Sequence, residues 1–93
     1  IDLNGHQVSR AGESIQLSRM EFTLLTTLAQ NPGHTFSRGQ LLNKLHGIAN
    51  AGYDRSIDAH IKKLRRKLEH DPAAPVYITT VYGVGYRFQD EVT

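Results

Sequence analysis

Residues 54–68 constrain this chain more than any other stretch. Ile57, Ile61, Leu64 and Leu68 follow one another at helical spacings. On a wheel turning about 100° per residue they fall within about 60° of one another, which predicts a narrow buried stripe. Arg55, Ala59, Lys62, Lys63 and Arg66 occupy the opposite face, so the segment is expected to be an amphipathic helix with a cationic outer side. From Arg55 to Lys67 there are six basic residues and one acid, Asp58. That segment's net charge of +5 exceeds the +2 of the whole chain, so the remainder is net acidic. A local field of this kind fits a polyanion partner better than a uniformly basic surface does.

Upstream of this helix the chain is punctuated clearly. Asn4-Gly5 and Ala11-Gly12 separate short mixed segments, predicting three short antiparallel strands within residues 1–17. Ser18 precedes Arg19-Met20-Glu21, a Ser-x-x-Glu capping box that starts a first helix at Arg19. Phe22, Leu25, Leu28 and Ala29, widened by Leu24, give that helix its apolar stripe, and Asn31-Pro32-Gly33 ends it. An extended stretch, His34-Thr35-Phe36, follows. Ser37 is placed to cap a short second helix carrying Leu41, Leu42 and Leu45. Residues 46–53 hold two glycines and no periodicity, so a loop is expected there before Asp54 caps the third helix. After Asp71-Pro72 and Pro75, the β-branched and aromatic runs Val76–Val81 and Tyr86–Phe88 flank Tyr82-Gly83-Val84-Gly85, predicting a terminal hairpin.

Several function classes drop out on composition. The 93 residues allow one domain, spanning 1–93, and the absence of methionine at position 1 suggests a piece of a longer protein. With 39% hydrophobic and 22% charged residues the chain is expected to fold and not to be disordered. Without cysteine it has neither a disulfide framework nor a thiolate zinc site, which permits a reducing cytoplasm. No apolar run reaches the roughly 18–20 residues of a membrane span. The five histidines (His6, His34, His46, His60, His70) lack a metal-ligand spacing, so neither metal nor other cofactor is expected. No serine shows a histidine and acid arrangement and no predicted face pairs carboxylates, so catalysis is not indicated. Gly83 and Gly85 lack the following helix N-terminus of a phosphate-cradling loop, and tight-turn geometry explains them better.

The order is therefore strands, three helices and a hairpin, an α+β winged helix-turn-helix with a small N-terminal antiparallel sheet and a C-terminal wing. A helix about 10–12 Å across fits the roughly 12 Å major groove of DNA, and a hairpin beside it reaches the adjoining backbone. Arg55, Ser56, Ala59, Lys62 and Lys63, nearest the start of the third helix, would enter deepest. Taken alone, the run from Lys62 to Lys67 reads more readily as a solvated helix face than as a binding surface; its place on the third helix, before a Gly-x-Gly hairpin, reverses that and favours DNA. Asp58, three residues from Arg55, is expected to form an intrahelical pair. His60 lies at the edge of the buried stripe, either hydrogen-bonded within the fold or donating to a phosphate. The tyrosines, Tyr53, Tyr77, Tyr82 and Tyr86, are expected to be packing and wing residues.

Leu17 through Leu25, Asn31-Pro32-Gly33, Ser37-Arg38 through Leu41-Leu42, Asp54 through Ile61 with Leu64 through Leu68, and Thr80 through Phe88 together resemble the OmpR/PhoB effector domain. The similarity covers nearly the whole chain, with five motifs in the family's order. It implies a cytoplasmic bacterial transcription regulator binding double-stranded DNA through a recognition helix at 54–69 and a wing at 76–88. It also implies an N-terminal receiver domain outside this chain, phosphorylated in a two-component phosphorelay by a sensor kinase. The domain is then expected to be a monomer alone and a dimer on tandem DNA half-sites. By resemblance, Arg55, Ser56, His60, Lys62 and Arg65 belong to phosphate contacts, Lys63 to base reading, and Thr80 to the wing's backbone contact. Arg66 and Tyr82 complete the expected DNA-binding set.

Two positions depart from the family pattern. Many members carry an arginine before the wing's Gly-x-Gly that enters the minor groove, where this chain has Tyr82, which has no guanidinium. Many carry tryptophan at the position of His46, in the 46–53 loop that in some members meets RNA polymerase. The competing reading is a protein-interaction module that uses the winged-helix scaffold to bind an acidic partner. An amphipathic helix lying on anionic lipid fits less well, because the apolar stripe of the third helix is needed for the core.

Overall fold

The computed structural model describes residues 2–4, 7–10, 12–45 and 56–89. Three short strands come first, β1 (Asp2–Asn4), β2 (Gln7–Arg10) and β3 (Glu13–Ile15), pairing antiparallel in that order. Val8 lies opposite Leu3 on one side and Ile15 on the other, and its side chain is buried. The expected three-stranded N-terminal sheet is thus formed.

Helix α1 (Arg19–Ala29) begins where its capping box places it. Ser18 Oγ accepts from the Glu21 amide at 3.1 Å, and Glu21 Oε1 accepts from the Ser18 amide at 2.9 Å. Leu24, Leu25 and Leu28 are fully buried, with Phe22 and Ala29 packed at the margin of the core. Helix α2 (Arg38–Lys44) is capped in the same reciprocal way by Ser37 and Gln40. Leu41 and the C-cap residue Leu45 enter the core from α2, whereas Leu42, turned about 100° round the helix from Leu41, is 37% exposed.

Helix α3 (Ser56–Leu68) buries Ile57, Ile61, Leu64 and Leu68 against α1 and α2. The stripe predicted from spacing is the stripe observed. Asp54 and Arg55, expected to cap and open this helix, lie outside the described residues, as do the 46–53 loop and Tyr53. Arg10 Nη1 donates to the carbonyl of Leu68, tying the N-terminal sheet to the end of α3.

The hairpin is β5 (Ile78–Val81) and β6 (Gly85–Phe88), and it carries a third strand, β4 (Thr35–Ser37), in the order β4-β6-β5. The extended stretch before α2 thus closes the wing into a sheet, with Phe36 opposite Tyr86. Strand β5 starts at Ile78 and not at the predicted Val76. The cause is Glu69, a buried carboxylate just past α3 that accepts the amides of Val76, Tyr77 and Ile78 at 2.7 to 3.1 Å. Those amides are spent on the carboxylate, and the chain bends there. Gly85, predicted as a turn residue, is instead the first of β6, and a side chain has no room at this crossing: a Cβ would stand 1.9 Å from the Phe36 carbonyl oxygen.

Candidate nucleic-acid interface

A helix of 13 residues spans about 20 Å, and α3 divides along that length into two faces. Its apolar stripe is consumed by the core. Ala59, Lys62, Lys63 and Arg66 are all exposed on the other side, as the wheel predicted, and His60 is half-buried at the margin. The helix ends with Arg65, Arg66 and Lys67 in its last turn, where positive charge is favoured by the helix dipole. Ser56 opens the helix, and Arg55 lies outside the described residues.

The described cations of the Arg55–Lys67 segment do not act alike. Lys67 Nζ lies 2.6 Å from Glu21 Oε1, on a carboxylate that is only 5% exposed, so this lysine fastens α3 to the cap of α1. Burial pushes the Glu21 carboxyl up, but hydrogen bonds from Lys67 and from the Ser18 amide and hydroxyl, with the lysine's charge, outweigh it and hold it below the usual value. Arg65 turns toward the hairpin. Its Nε donates to the Ile78 carbonyl at 3.1 Å and its Nη2 to Thr80 Oγ1 at 2.8 Å. Among the described residues, Lys62, Lys63 and Arg66 remain as the exposed cations of the outer face.

Asp58, the acid among these cations, has partners that spacing alone could not name. Its Oδ1 accepts from Arg38 Nε of α2 at 2.7 Å and from the Tyr86 hydroxyl of β6 at 2.5 Å. The expected pair with Arg55 falls outside the described residues; the observed bonds cross from α3 to two other elements. The Tyr86 hydroxyl, opposed by some burial and aided by Arg38, lowers the Asp58 carboxyl, and Asp58 in turn raises the Arg38 guanidinium. Burial foremost, then the bond to Asp58, raises the Tyr86 phenol. The guanidinium carbons of Arg38 and Arg65 lie 5.6 and 5.4 Å from the centre of the Tyr86 ring, both within cation–π range. Sequence placed Tyr86 only among the packing and wing residues and Arg38 only within a family motif, and it gave neither as a partner of Asp58, whose one local partner was Arg55.

The wing projects from this junction. The turn Tyr82-Gly83-Val84 is closed by the Val84 amide donating to the Val81 carbonyl at 2.9 Å, with Gly83 at φ 81°, a left-handed conformation that a side chain disfavours. Tyr82 is 91% exposed at the tip and Val84 51%. Thr80 is half-buried beside Arg65, and Tyr77 stacks on Phe88 with ring centres 6.3 Å apart. Among the described residues no group of histidines and acids is placed to hold a metal ion, and no helix is long and apolar enough to cross a membrane.

Comparison with known proteins bears on this geometry directly. The family model for the C-terminal domain of transcriptional regulatory proteins matches residues 12–88. The chain is 49% identical over 89 residues to the transcriptional regulatory protein BaeR of Escherichia coli O6:H1, covering 96% of this chain and 37% of that protein. It thus spans about two fifths of the length of the curated relatives it matches. Its fold resembles the DNA-binding domain of Klebsiella pneumoniae RstA in complex with the RstA box, with TM-score 0.76 and 40% identity over 89% of this chain and 82% of that one. It also resembles the response regulator DrrB, a Thermotoga maritima OmpR/PhoB homologue, with TM-score 0.73 and 38% identity over 84% of this chain and 35% of that one. A winged helix-turn-helix with these matches belongs to the transcriptional regulatory protein C-terminal family, the DNA-binding output domains of OmpR/PhoB-type response regulators.

Proposed function

We propose that this chain recognises specific double-stranded DNA sequences with α3 in the major groove and the β5–β6 wing along the backbone. The observation that carries the proposal is the outer face of α3, where Lys62, Lys63 and Arg66 are exposed on a helix whose opposite face is fully committed to the core. Such a helix presents charge without sacrificing packing. Ala59, one turn before Lys63, is small enough to admit close approach to base edges. Lys63 is assigned to base reading, and Arg55, Ser56, His60, Lys62 and Arg66 to the backbone. Thr80 and Tyr82 supply the wing's contact, and Arg65, tied to Thr80, joins the two surfaces.

The regulatory setting belongs to the same proposal. A receiver domain phosphorylated by a sensor kinase favours dimers on tandem half-sites, the domain being monomeric by itself, and the 46–53 loop is the surface offered to RNA polymerase. The role is transcription control in the cytoplasm, not catalysis. BaeR, named a transcriptional regulatory protein, and RstA, solved on its DNA box, support this reading.

Selection of bound duplexes from a random DNA library at near-physiological salt tests it. A half-site repeated in tandem is expected to be enriched. Lys63→Ala should erode preference among sequences, each good base contact contributing roughly 1–3 kcal/mol, whereas Lys62→Ala should weaken all duplexes alike. Salt-sensitive binding with no enriched sequence would instead favour a module that binds an acidic protein.

A further inference from the structure

We infer that Arg65 is a positioning residue, a pin that holds the wing at a fixed angle to α3, and that its guanidinium serves the register between helix and hairpin and not the neutralisation of a phosphate. The inference rests on the DNA-binding reading above and assigns one residue of that surface a different job from its exposed neighbours.

Three contacts converge on this side chain. Nε bonds the backbone of β5 at Ile78, Nη2 bonds the Thr80 hydroxyl two residues further along the same strand, and the guanidinium lies 5.4 Å from the Tyr86 ring on β6. Arg65 is half-buried, whereas Lys62, Lys63 and Arg66 are exposed. A planar guanidinium meets two acceptors on one strand and an aromatic face at once, in a way a lysine ammonium cannot reproduce. Tyr86 then passes the constraint on, through Asp58 to Arg38 at the start of α2. Helix, wing and the preceding helix are thereby locked as one body. The β4–β6 pairing and the Tyr86–Asp58 bond hold β6, and the Arg65 fork ties β5 to α3 directly.

A phosphate contact and a pin respond oppositely to charge-conserving substitution. Arg65→Lys keeps the charge and removes the fork, while Arg65→Gln removes the charge. For a pin, Arg65→Lys should weaken binding to the selected duplex roughly tenfold, the scale of one or two lost charged hydrogen bonds. The slope of log affinity against log salt should stay at the parent value, and hydroxyl-radical protection should fade at the wing edge while persisting under α3. If Arg65→Lys binds like the parent and Arg65→Gln lowers the salt slope by about 0.9, one phosphate contact has been lost and the pin is wrong.

The parent chain supplies a second readout that survives misfolding of either variant. The Arg65 Nε–H should exchange slowly with solvent in the free protein, and its resonance should not move when duplex is added. Fast exchange in the free protein, or a large shift on adding duplex, overturns the inference. Failure of the parent to prefer any duplex would instead remove the DNA reading, leaving the exchange measurement to decide the pin by itself.

Discussion

Tyr86 donates its hydroxyl to Asp58 at 2.5 Å, joining the central strand of the wing sheet to the first turn of α3. Both partners titrate in directions that favour the bond. The hydroxyl, against partial burial and with Arg38's help, lowers the Asp58 carboxyl, so this contribution is present above the unfolded value of about 3.9 and is lost as pH falls through the folded one. Burial, then Asp58, raises the Tyr86 phenol, so its contribution is complete below about 10 and disappears as pH rises through the folded value. Tyr86→Phe should cost about 1 kcal/mol at neutral pH, held to that scale because the Asp58 side chain is 54% exposed. It should also flatten the alkaline arm of a urea-midpoint profile. A variant as stable as the parent, with the same alkaline loss, would show the bond to be idle.

Glu69 gives a sharper test of buried polarity. Its carboxylate is 4% exposed and receives three successive backbone amides, so the bend from α3 into β5 is built on acceptors alone. Glutamine at this position replaces one acceptor with an NH2 group facing amide donors. Glu69→Gln should therefore lower unfolding stability by about 2–4 kcal/mol, as expected when a buried charged acceptor loses its fit. Chemical denaturation measures it, and a loss within about 0.5 kcal/mol, the usual range of a surface change, would refute the assignment.

Gly83 and Gly85 look alike in sequence and differ in what they tolerate. At Gly83 a Cβ meets nothing within 4 Å, and the obstacle is the backbone at φ 81° alone. At Gly85 the backbone is not left-handed, but a Cβ would collide with the Phe36 carbonyl and Ser37 Cα of β4. Gly83→Ala is expected to cost about 1 kcal/mol through left-handed strain, and Gly85→Ala about 3 kcal/mol or more by parting β4 from β6. Equal thermal shifts for the two variants would contradict this distinction.

What could be read in advance follows from the range of the interaction. The Ser18–Glu21 box is three residues long, so sequence located both of its arms, and the stripe from Ile57 to Leu68 is fixed by helical periodicity. The pairs Arg38–Asp58, Tyr86–Asp58 and Lys67–Glu21 join residues 20, 28 and 46 apart, and no local pattern states which face will meet which. Periodicity named the outward face of α3 but not which of its flanking cations the fold would draw in. Glu69 was invisible for a related reason: before His70-Asp71 it reads as one more solvated charge, and only the returning chain at Val76–Ile78 encloses it.

That division of the cations separates stability from binding. Lys67 shields a carboxylate that still accepts the Ser18 amide once the lysine is gone, while Lys62 stands exposed on the outer face. Lys67→Gln should lower stability by about 1 kcal/mol, moderated because the lysine is 40% exposed, and leave the salt slope of DNA binding unchanged. Lys62→Gln should do the reverse, leaving the thermal midpoint in place and reducing the slope by about 0.9, the signature of one phosphate released. Loss of the Lys67 bridge should also flatten the acid arm of the stability profile, because the contribution it removes is one that the parent itself loses in acid. Lys67 is among the groups holding the Glu21 carboxyl low against burial, and stability held that way is present above about 4.3 and lost as pH falls through the folded value. Thermal melts from pH 3 to 7 beside salt titrations of duplex binding would show whether the two lysines part in this way. If Lys67→Gln lowers the slope as much as Lys62→Gln, the bridge to Glu21 opens on DNA and both lysines belong to the contact surface.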